Sequence, residues 1–591
     1  MTDQILLENE QLYQAIITAA KSVIKHKETL NELNVFPVRD KDTGSNLSAL
    51  MSSIIELTKK GNSISETLES VSEAALLGSR GNSGLIFSQF LYGFTLLEDD
   101  KKSNDIKLIE RVKSGVSYAY EALENPLEGT MITLMRQWLE YLLIEKENHD
   151  SIKAYLLATS QKLKIALEET KNTLDILKKH NVVDAGALGF TLFVEGFIEG
   201  LIGENKIVAQ EFKVDLPTLS FKEEHIHNDN TRYCTEVLLQ TTISKDVLTK
   251  IISNLGDSVV VGESKRLKRI HIHTNHPEKV LYELSSLGQI LESKVDDMLR
   301  QQQIQLKPKY KIAIVTDSIA DIPKEIIDHY QIHVYPVGIN IDDVIFYDKL
   351  TIHNEQFFKY ILNSKTYPKS FAPNPKSVEV LLATLAKHYK HILVLTVSGK
   401  MSGTYNIFNK IANSFLDTQI KVIDTKQNSV SQGLLVMKIA ELIDSGMDFN
   451  QIEKKAIELT NKTKILVHVE TLDLMVRSGR IKKSLGKIGK ILHLKPIVSI
   501  DSEGNGIVLS KSIGQKNNIN KIVKYIKKIH QSHGIEKYAL VHLDNLKLAE
   551  KIKTKVIDIT GFKPEYMSDI STIIAMNSGK GSVGIAYIRK D

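Results

Sequence analysis

The sequence predicts a chain of several domains: an all-α part, then a small α+β part, then an α/β part. Three observations predict this. A chain of 591 residues exceeds what one core usually holds. Over its N-terminal third, apolar residues recur at three- and four-residue spacing. From Lys311 onward, short apolar strands alternate with helical stretches. Periodicity marks eight helical segments, near 8–33, 45–60, 64–78, 83–97, 105–124, 130–147, 149–171 and 185–203. Lys206 to Thr218 then reads as a linker, followed by strand-like runs at Tyr233 to Thr242, Ser258 to Gly262 and Arg269 to Thr274. The expected domains are residues 1–205, 206–306 and 307–591.

Composition narrows the class. A hydrophobic content of 42% is enough for real cores, and a net charge of +5 on so long a chain argues neither for nor against nucleic acid. No apolar run approaches the length of a membrane span. The start, Met1-Thr2-Asp3-Gln4, lacks the basic and apolar pattern of a leader. A single cysteine, Cys234, rules out an intramolecular disulfide and fits a reducing compartment, so a cytoplasmic location is expected.

Near the start, Asn34 is followed by Asp40-Lys41-Asp42-Thr43-Gly44-Ser45-Asn46, a polar loop between two amphipathic segments. Two Asp side chains one residue apart repel each other unless a cation lies between them, and oxygen ligands suit Mg²⁺ shared with phosphates. The same residues also fit a helix N-cap, with Asp42, Thr43 or Ser45 capping a helix that begins near Leu47. Gly78-Ser79-Arg80-Gly81-Asn82-Ser83-Gly84 precedes an apolar helix, where backbone N–H groups can approach an anion at the positive end of the helix dipole. Glu128-Gly129-Thr130-Met131-Ile132-Thr133 opens another helix, with Arg136 close behind. Each glycine stretch alone also suits a helix-to-helix turn. Metal loop, phosphate loop and nearby cation together describe a nucleotide site.

These blocks, with Val182-Val183-Asp184-Ala185-Gly186, resemble in order the four signatures of the DhaL-like domain of bacterial fatty acid kinase, a relative of the ATP-binding component of dihydroxyacetone kinase. The resemblance implies an eight-helix barrel with ATP and Mg²⁺ held by loops at one end. It implies Mg²⁺ on Asp40 and Asp42, with Asn34 completing the shell. ATP would be held by Thr43, Ser45, Asn46, Gly81, Asn82, Ser83, Gly84, Thr130 and Asp184. Arg39 and Lys41 stand where the family usually has Pro and Gly.

In the strand Arg269-Ile270-His271-Ile272-His273-Thr274, residues two apart share a face, so His271 and His273 project side by side. With Cys234 they form a Cys-His-His set for zinc, or else a hydrogen-bonded surface pair beside an unrelated thiol. Tyr233-Cys234-Thr235-Glu236 and His271-Ile272-His273-Thr274-Asn275 resemble blocks of the middle domain of fatty acid kinase, which implies Zn²⁺ at Cys234, His271 and His273, with the fourth ligand unassigned.

The last part carries Thr316-Asp317-Ser318 and Thr396-Val397-Ser398 at the ends of apolar strands, where ligands gather in open α/β sheets. Thr316-Asp317-Ser318-x-x-Asp321-Ile322-Pro323, Met401-Ser402-Gly403-Thr404-Tyr405, Asp424-Thr425-Lys426, Gln432-Gly433-Leu434 and Ser478-Gly479-Arg480-Ile481 resemble the DegV family of fatty acid-binding proteins. The resemblance implies a two-lobed α/β domain with an apolar tunnel. The carboxylate of a long-chain fatty acid would sit at its mouth, with Ser370, Ser402, Arg480 and Asn577 as substrate residues. Three departures stand out: Asn577 replaces a His, and Phe371 and Ala372 replace Ser and Gln. Either Ser can also serve only as a turn or cap.

Between Leu474 and Ile500 lie Arg477, Arg480, Lys482, Lys483, Lys487, Lys490 and Lys495 with no acid, while Leu485, Ile488, Ile491 and Leu492 recur at helical spacing. Such a segment suits a solvated face, peripheral contact with an anionic membrane, or the phosphate-bearing mouth of the kinase domain. No aromatic residues interleave with these bases, so nucleic acid is not expected. The expected function is an ATP-dependent kinase that phosphorylates a fatty acid held in its own DegV-like domain, with a homodimer as a further expectation. The alternatives are a small-molecule kinase of the dihydroxyacetone type (glycerone kinase activity) and a non-catalytic fatty acid-binding regulator.

Overall fold

The computed structural model describes residues 8–35, 41–96, 104–123, 126–203, 231–306, 308–481 and 494–590. They fall into two compact units, divided between Leu299 and Arg300.

Among the described residues the first unit opens with ten α-helices: α1 (Asn9–Lys25), α2 (Lys27–Leu33), α3 (Thr43–Leu57), α4 (Ile64–Gly78), α5 (Gly81–Gly93), α6 (Asn104–Glu121), α7 (Met131–Asn148), α8 (Ile152–Glu169), α9 (Asp175–His180) and α10 (Ala185–Ile202). Eight segments become ten for two local reasons. His26, at φ −101° and ψ 16°, breaks the first segment. Helix α9 has only 6 residues, too few to show a helical period.

Start signals act where the sequence places them. Ser63 caps α4 by accepting from the Glu66 N–H, Ser151 caps α8, and Asp184 caps α10. Helix α10 is apolar on nearly every side and forms the centre of the core. Its Phe190 and Phe193 meet Phe87, and Phe190 also meets Phe90 and Trp138. It is 18 residues long and apolar enough to cross a membrane, which corrects the expectation that no such run exists, and 78% of it is buried inside the fold. Gly196 and Gly200 let its backbone approach α1: a Cβ there would lie 2.8 Å from the Cα of Ala19 and 2.5 Å from that of Ala15.

A small antiparallel sheet follows, in the order β2 (Asp257–Glu263), β3 (Leu267–Thr274), β1 (Tyr233–Gln240), β4 (Gln289–Asp297). Helices α11 (Lys245–Ile252) and α12 (Pro277–Leu287) complete it. Cys234 stands opposite His273 and Glu236 opposite His271. Alternate residues share a face, so these four side chains form one square patch.

In the second unit a parallel sheet runs Gln419–Asp424, His391–Thr396, Ile312–Asp317, His333–Tyr335. Every residue of its strand Ile312–Asp317 is buried, as expected of a strand covered on both faces. A mixed sheet of 6 strands forms the other lobe, from Gly506–Ile513 at one edge to Met567–Asp569 at the other. A third sheet of 3 strands, Val344–Tyr347, Gly338–Ile341 and Lys369–Phe371, carries Ser370. The two-lobed α/β architecture is as expected.

Candidate functional site

Three close approaches assemble one end of the helical domain. A Cβ on Gly81 would lie 2.6 Å from Asn46 Nδ2, one on Gly186 3.2 Å from Met131 Cβ, and one on Gly189 2.4 Å from Leu47 Cδ1. The opening turns of α3, α5, α7 and α10 therefore lie together, and four positive dipole ends share one region. Three of the four signature blocks sit on these turns through Asn46, Gly81 to Gly84 and Asp184, and the fourth through Thr130.

The details divide the expected residues. Asp42 occupies the N-cap position of α3 without a side-chain bond to the helix, so the capping alternative fails for it. Lys41 has φ +57°, a left-handed conformation that favours the Gly it replaces. Thr43 and Asn34 are buried. Ser45 is fixed by Asn31, whose Oδ1 accepts from the Ser45 N–H at 2.9 Å. Asn31 carries no signal in the sequence because it sits within an ordinary amphipathic stretch. Asp40 and Arg39 lie outside the described residues.

Gly81 donates its N–H to Glu236 Oε1 at 2.6 Å, and the Gly84 N–H bonds the Arg80 carbonyl. Asn82 and Ser83 stand in the first turn of α5, where the N–H groups have no carbonyl of their own helix to bond, and Asn82 Oδ1 is a buried acceptor without a partner among the described residues. Thr130 sits at the N-cap of α7 with its hydroxyl on the Leu127 carbonyl. Arg136 is not a spare cation for phosphate: it pairs with Glu128 at 3.1 Å and Glu140 at 2.6 Å. Asp184 accepts from the Ala187 N–H at 2.7 Å, and burial pushes its pKa up to about 6 against its backbone hydrogen bonds.

In the small sheet, the ligand atoms of Cys234, His271 and His273 all lie within 4.8 Å of one another. Glu236 adds an oxygen 3.7 Å from His271 Nδ1. Both His271 Nε2 and Glu236 Oε2 are buried without a hydrogen-bond partner among the described residues. A donor set of this kind fits a zinc ion. Glu236 is absent from the residues expected of this site, although its place two residues after Cys234 puts it on the same face.

In the second unit, Ser370, Ser402, Arg480 and Asn577 line one cavity of about 230 Å³, with Phe371 and Ala372 beside them. The remaining walls are largely Ile, Val and Met side chains, among them Met401, Ile465, Val498 and Ile573. Arg480 donates to the Ser478 carbonyl at 2.5 Å and to Ser370 Oγ at 3.4 Å. Burial pushes its pKa down. Ser402 Oγ lies 2.8 Å from Thr404 Oγ1 and accepts from the Thr404 N–H, so it serves a turn while facing the cavity. Asn577 lines the cavity while its Nδ2 donates to the Ile573 carbonyl at 2.6 Å, a bond that uses one of the two N–H donors of the amide.

Thr316-Asp317-Ser318 and Asp321 serve the fold. Asp317 accepts from the Val397 N–H at 2.7 Å and from Gln432 Nε2 at 3.1 Å, Ser318 bonds Asp348, and Asp321 pairs with Lys349 at 3.0 Å. Of the basic run, Lys482, Lys483, Lys487 and Lys490 lie outside the described residues. Arg477 stacks on Tyr367 at 4.3 Å, and Lys495 pairs with Glu470.

Three family models match the chain: the DAK2 domain over residues 37–199, the middle domain of the fatty acid kinase type over 230–305, and the uncharacterised DegV family over 311–590. The chain is built of these three domains. An uncharacterized protein of Staphylococcus saprophyticus is 32% identical over 321 residues, 51% of this chain and 57% of that protein. The match thus spans little more than half the length of that relative. One from Staphylococcus aureus strain USA300 is 28% identical over 477 residues, 75% of this chain and 83% of that protein. Among solved structures, a fatty acid binding DegV family protein from Streptococcus agalactiae is 25% identical, covering 48% of this chain and 100% of its own, with a TM-score of 0.44. DegV from Bacillus subtilis, described as a fatty acid binding protein, is 24% identical over the same shares, also with a TM-score of 0.44. The DAK2 and middle domains align the chain with kinase-related proteins.

Proposed function

We propose that the chain is an ATP- and Mg²⁺-dependent phosphotransferase of the fatty acid kinase type, acting on the carboxylate of a long-chain fatty acid held in its own DegV domain. The observation that carries this reading is Arg480. It is a half-buried guanidinium at an apolar cavity, beside the hydroxyls of Ser370 and Ser402, with no carboxylate in ion-pair distance among the described residues. An apolar chain with an anionic head satisfies both parts of that cavity.

The carboxylate is ionised at pH 7 and needs no general base. Its oxygen bonds to the γ-phosphorus of ATP as the bond to the bridging oxygen of ADP breaks, giving an acyl phosphate and ADP. The residues contribute position and charge: the first-turn N–H groups of Asn82 and Ser83 support a phosphate, and Thr130 and Asp184 fix the neighbouring helix starts. Mg²⁺ supplies charge neutralisation when bound, and Asp42, with Asp40 and Asn34, would hold it. Cys234, His271 and His273 would hold Zn²⁺ in the middle domain. A cytoplasmic location accords with the use of ATP.

The test is direct. Lipid extracted from the purified chain and analysed by mass spectrometry should contain a long-chain fatty acid. Addition of ATP and Mg²⁺ should release ADP and give an acyl hydroxamate with hydroxylamine. Fatty acid present without either product would replace this reading with that of a non-catalytic regulator.

A further inference from the structure

The turn that carries the glycine loop is gripped by side chains from a different domain. Gly81 opens α5 with φ +58°, and its N–H is taken by Glu236, which comes from β1 of the middle domain and is 4% exposed. Arg269, on β3, donates Nε to the Leu76 carbonyl and an Nη to the Leu77 carbonyl, both at 3.0 Å, at the end of α4. Glu292, on β4, accepts from Arg269 at 3.1 Å and from Arg80, the residue before Gly81, at 2.8 Å. Between residues 76 and 81, the middle sheet thus offers one base, Arg269, to two carbonyls that end one helix and an acid, Glu236, to the N–H that starts the next.

Adhesion alone does not explain this set of charges. Apolar contact already exists close by, where Leu85 packs against Gly262 and Leu76, Leu85 and Val260 share a cluster. Taking acids and bases out of water is costly unless every one is placed. These lie at the turn from which the Asn82 and Ser83 N–H groups project. A carboxylate at that first N–H closes the position to phosphate and fixes the direction of the next two.

We propose that Glu236 is a positioning residue of the nucleotide site: by anchoring Gly81 it aims the Asn82 and Ser83 N–H groups at the phosphates, so the middle domain is a working part of ATP binding. This rests on the proposed function, in which the DAK2 domain binds ATP.

The full chain decides it. Glu236→Ala removes the acceptor and should weaken Mg-ATP binding, measured by titration calorimetry, by about 2- to 10-fold, the worth of one neutral N–H bond to phosphate that loses its aim. Glu236→Gln keeps a carbonyl acceptor for Gly81 and should restore most of that loss. The KM for ATP should rise more than kcat falls, and fatty acid binding should stay unchanged. Amide exchange should quicken at 81–85 in Glu236→Ala and, less, in Glu236→Gln. If the Ala variant does not fold, the Gln variant decides through that exchange and its KM. Unchanged ATP affinity with a lowered melting temperature means a purely adhesive role and overturns the inference alone. Failure of the unaltered chain to bind ATP overturns it together with the nucleotide reading.

Discussion

Each unit withdraws a charged side chain from water at the place where its chemistry is proposed, and the two are treated differently. Glu236, in the first unit, is surrounded by His271, Lys294 and the Gly81 N–H, which outweigh burial so that its pKa falls to about 2. Arg480, in the second, has among the described residues only a carbonyl and a hydroxyl, and burial pushes its pKa down. A charge whose partners belong to the protein holds shape. A charge beside a cavity with neutral partners alone is completed by a ligand of opposite sign.

The largest effect should come from the end with the four helix starts. Asp42→Ala leaves α3 its other contacts, since the side chain makes no cap bond, and should lower Mg²⁺-dependent ATP turnover by about 100-fold or more, the usual cost of removing a preorganised charge partner. Fatty acid binding should be unaffected. Normal turnover in this variant would remove the metal loop from the mechanism.

Next in size is Arg480, a base without an acidic partner among the described residues. Arg480→Met keeps the stem and deletes the charge, and should weaken a long-chain fatty acid by about 10- to 150-fold, the worth of a charged hydrogen bond. Ser370→Ala should cost less, and Ser402→Ala least, because that hydroxyl is already engaged with Thr404. Titration calorimetry checks the order. Equal affinity in the Arg480 variant would erase the contrast with Glu236.

That Ser370, Ser402, Arg480 and Asn577 share one cavity was implied by the family resemblance of their blocks, since nothing in the local pattern of residues so far apart along the chain places them together. The strands of the last domain were legible from their own residues: buried parallel strands are apolar throughout. Other features had no local signal. Glu236 gains its role only when β1 meets the start of α5, and Asp348, which braces Ser318, stands in a loop with no motif of its own. Arg136 misled because a base near a glycine turn looks available until Glu140, one helical turn on, is seen to claim it.

A third buried charge lies between the two extremes. Asp317 is hydrogen-bonded by the neutral donors Val397, Gln432 and Ile319, and burial outweighs these bonds and the Lys349 charge and pushes its pKa up to about 6. A raised folded-state pKa contributes stability that is complete below the unfolded value near 4 and is lost as pH rises through about 6. Relative to the unaltered chain, Asp317→Asn should therefore gain on the order of 2 kcal/mol between pH 4 and pH 7. Urea unfolding followed by amide exchange in strand Ile312–Asp317 measures this. A difference independent of pH would show that the acid stays ionised throughout.

The smallest effect sharpens the picture of the cavity mouth. Asn577 spends one N–H of its amide on the Ile573 carbonyl and leaves Oδ1 buried without a partner among the described residues, an acceptor where an anionic ligand would want a donor. Asn577→His replaces it with a ring N–H, which should tighten fatty acid binding by about 2- to 10-fold, the range for one neutral hydrogen bond. The imidazole gains charge as pH falls through about 6.5 and then pairs with a carboxylate that remains ionised, so the gain should be larger at pH 6 than at pH 8. Calorimetry at both pH values distinguishes the cases. A gain at neither would mean that the ligand head lies against Arg480 and Ser370 alone, out of reach of position 577.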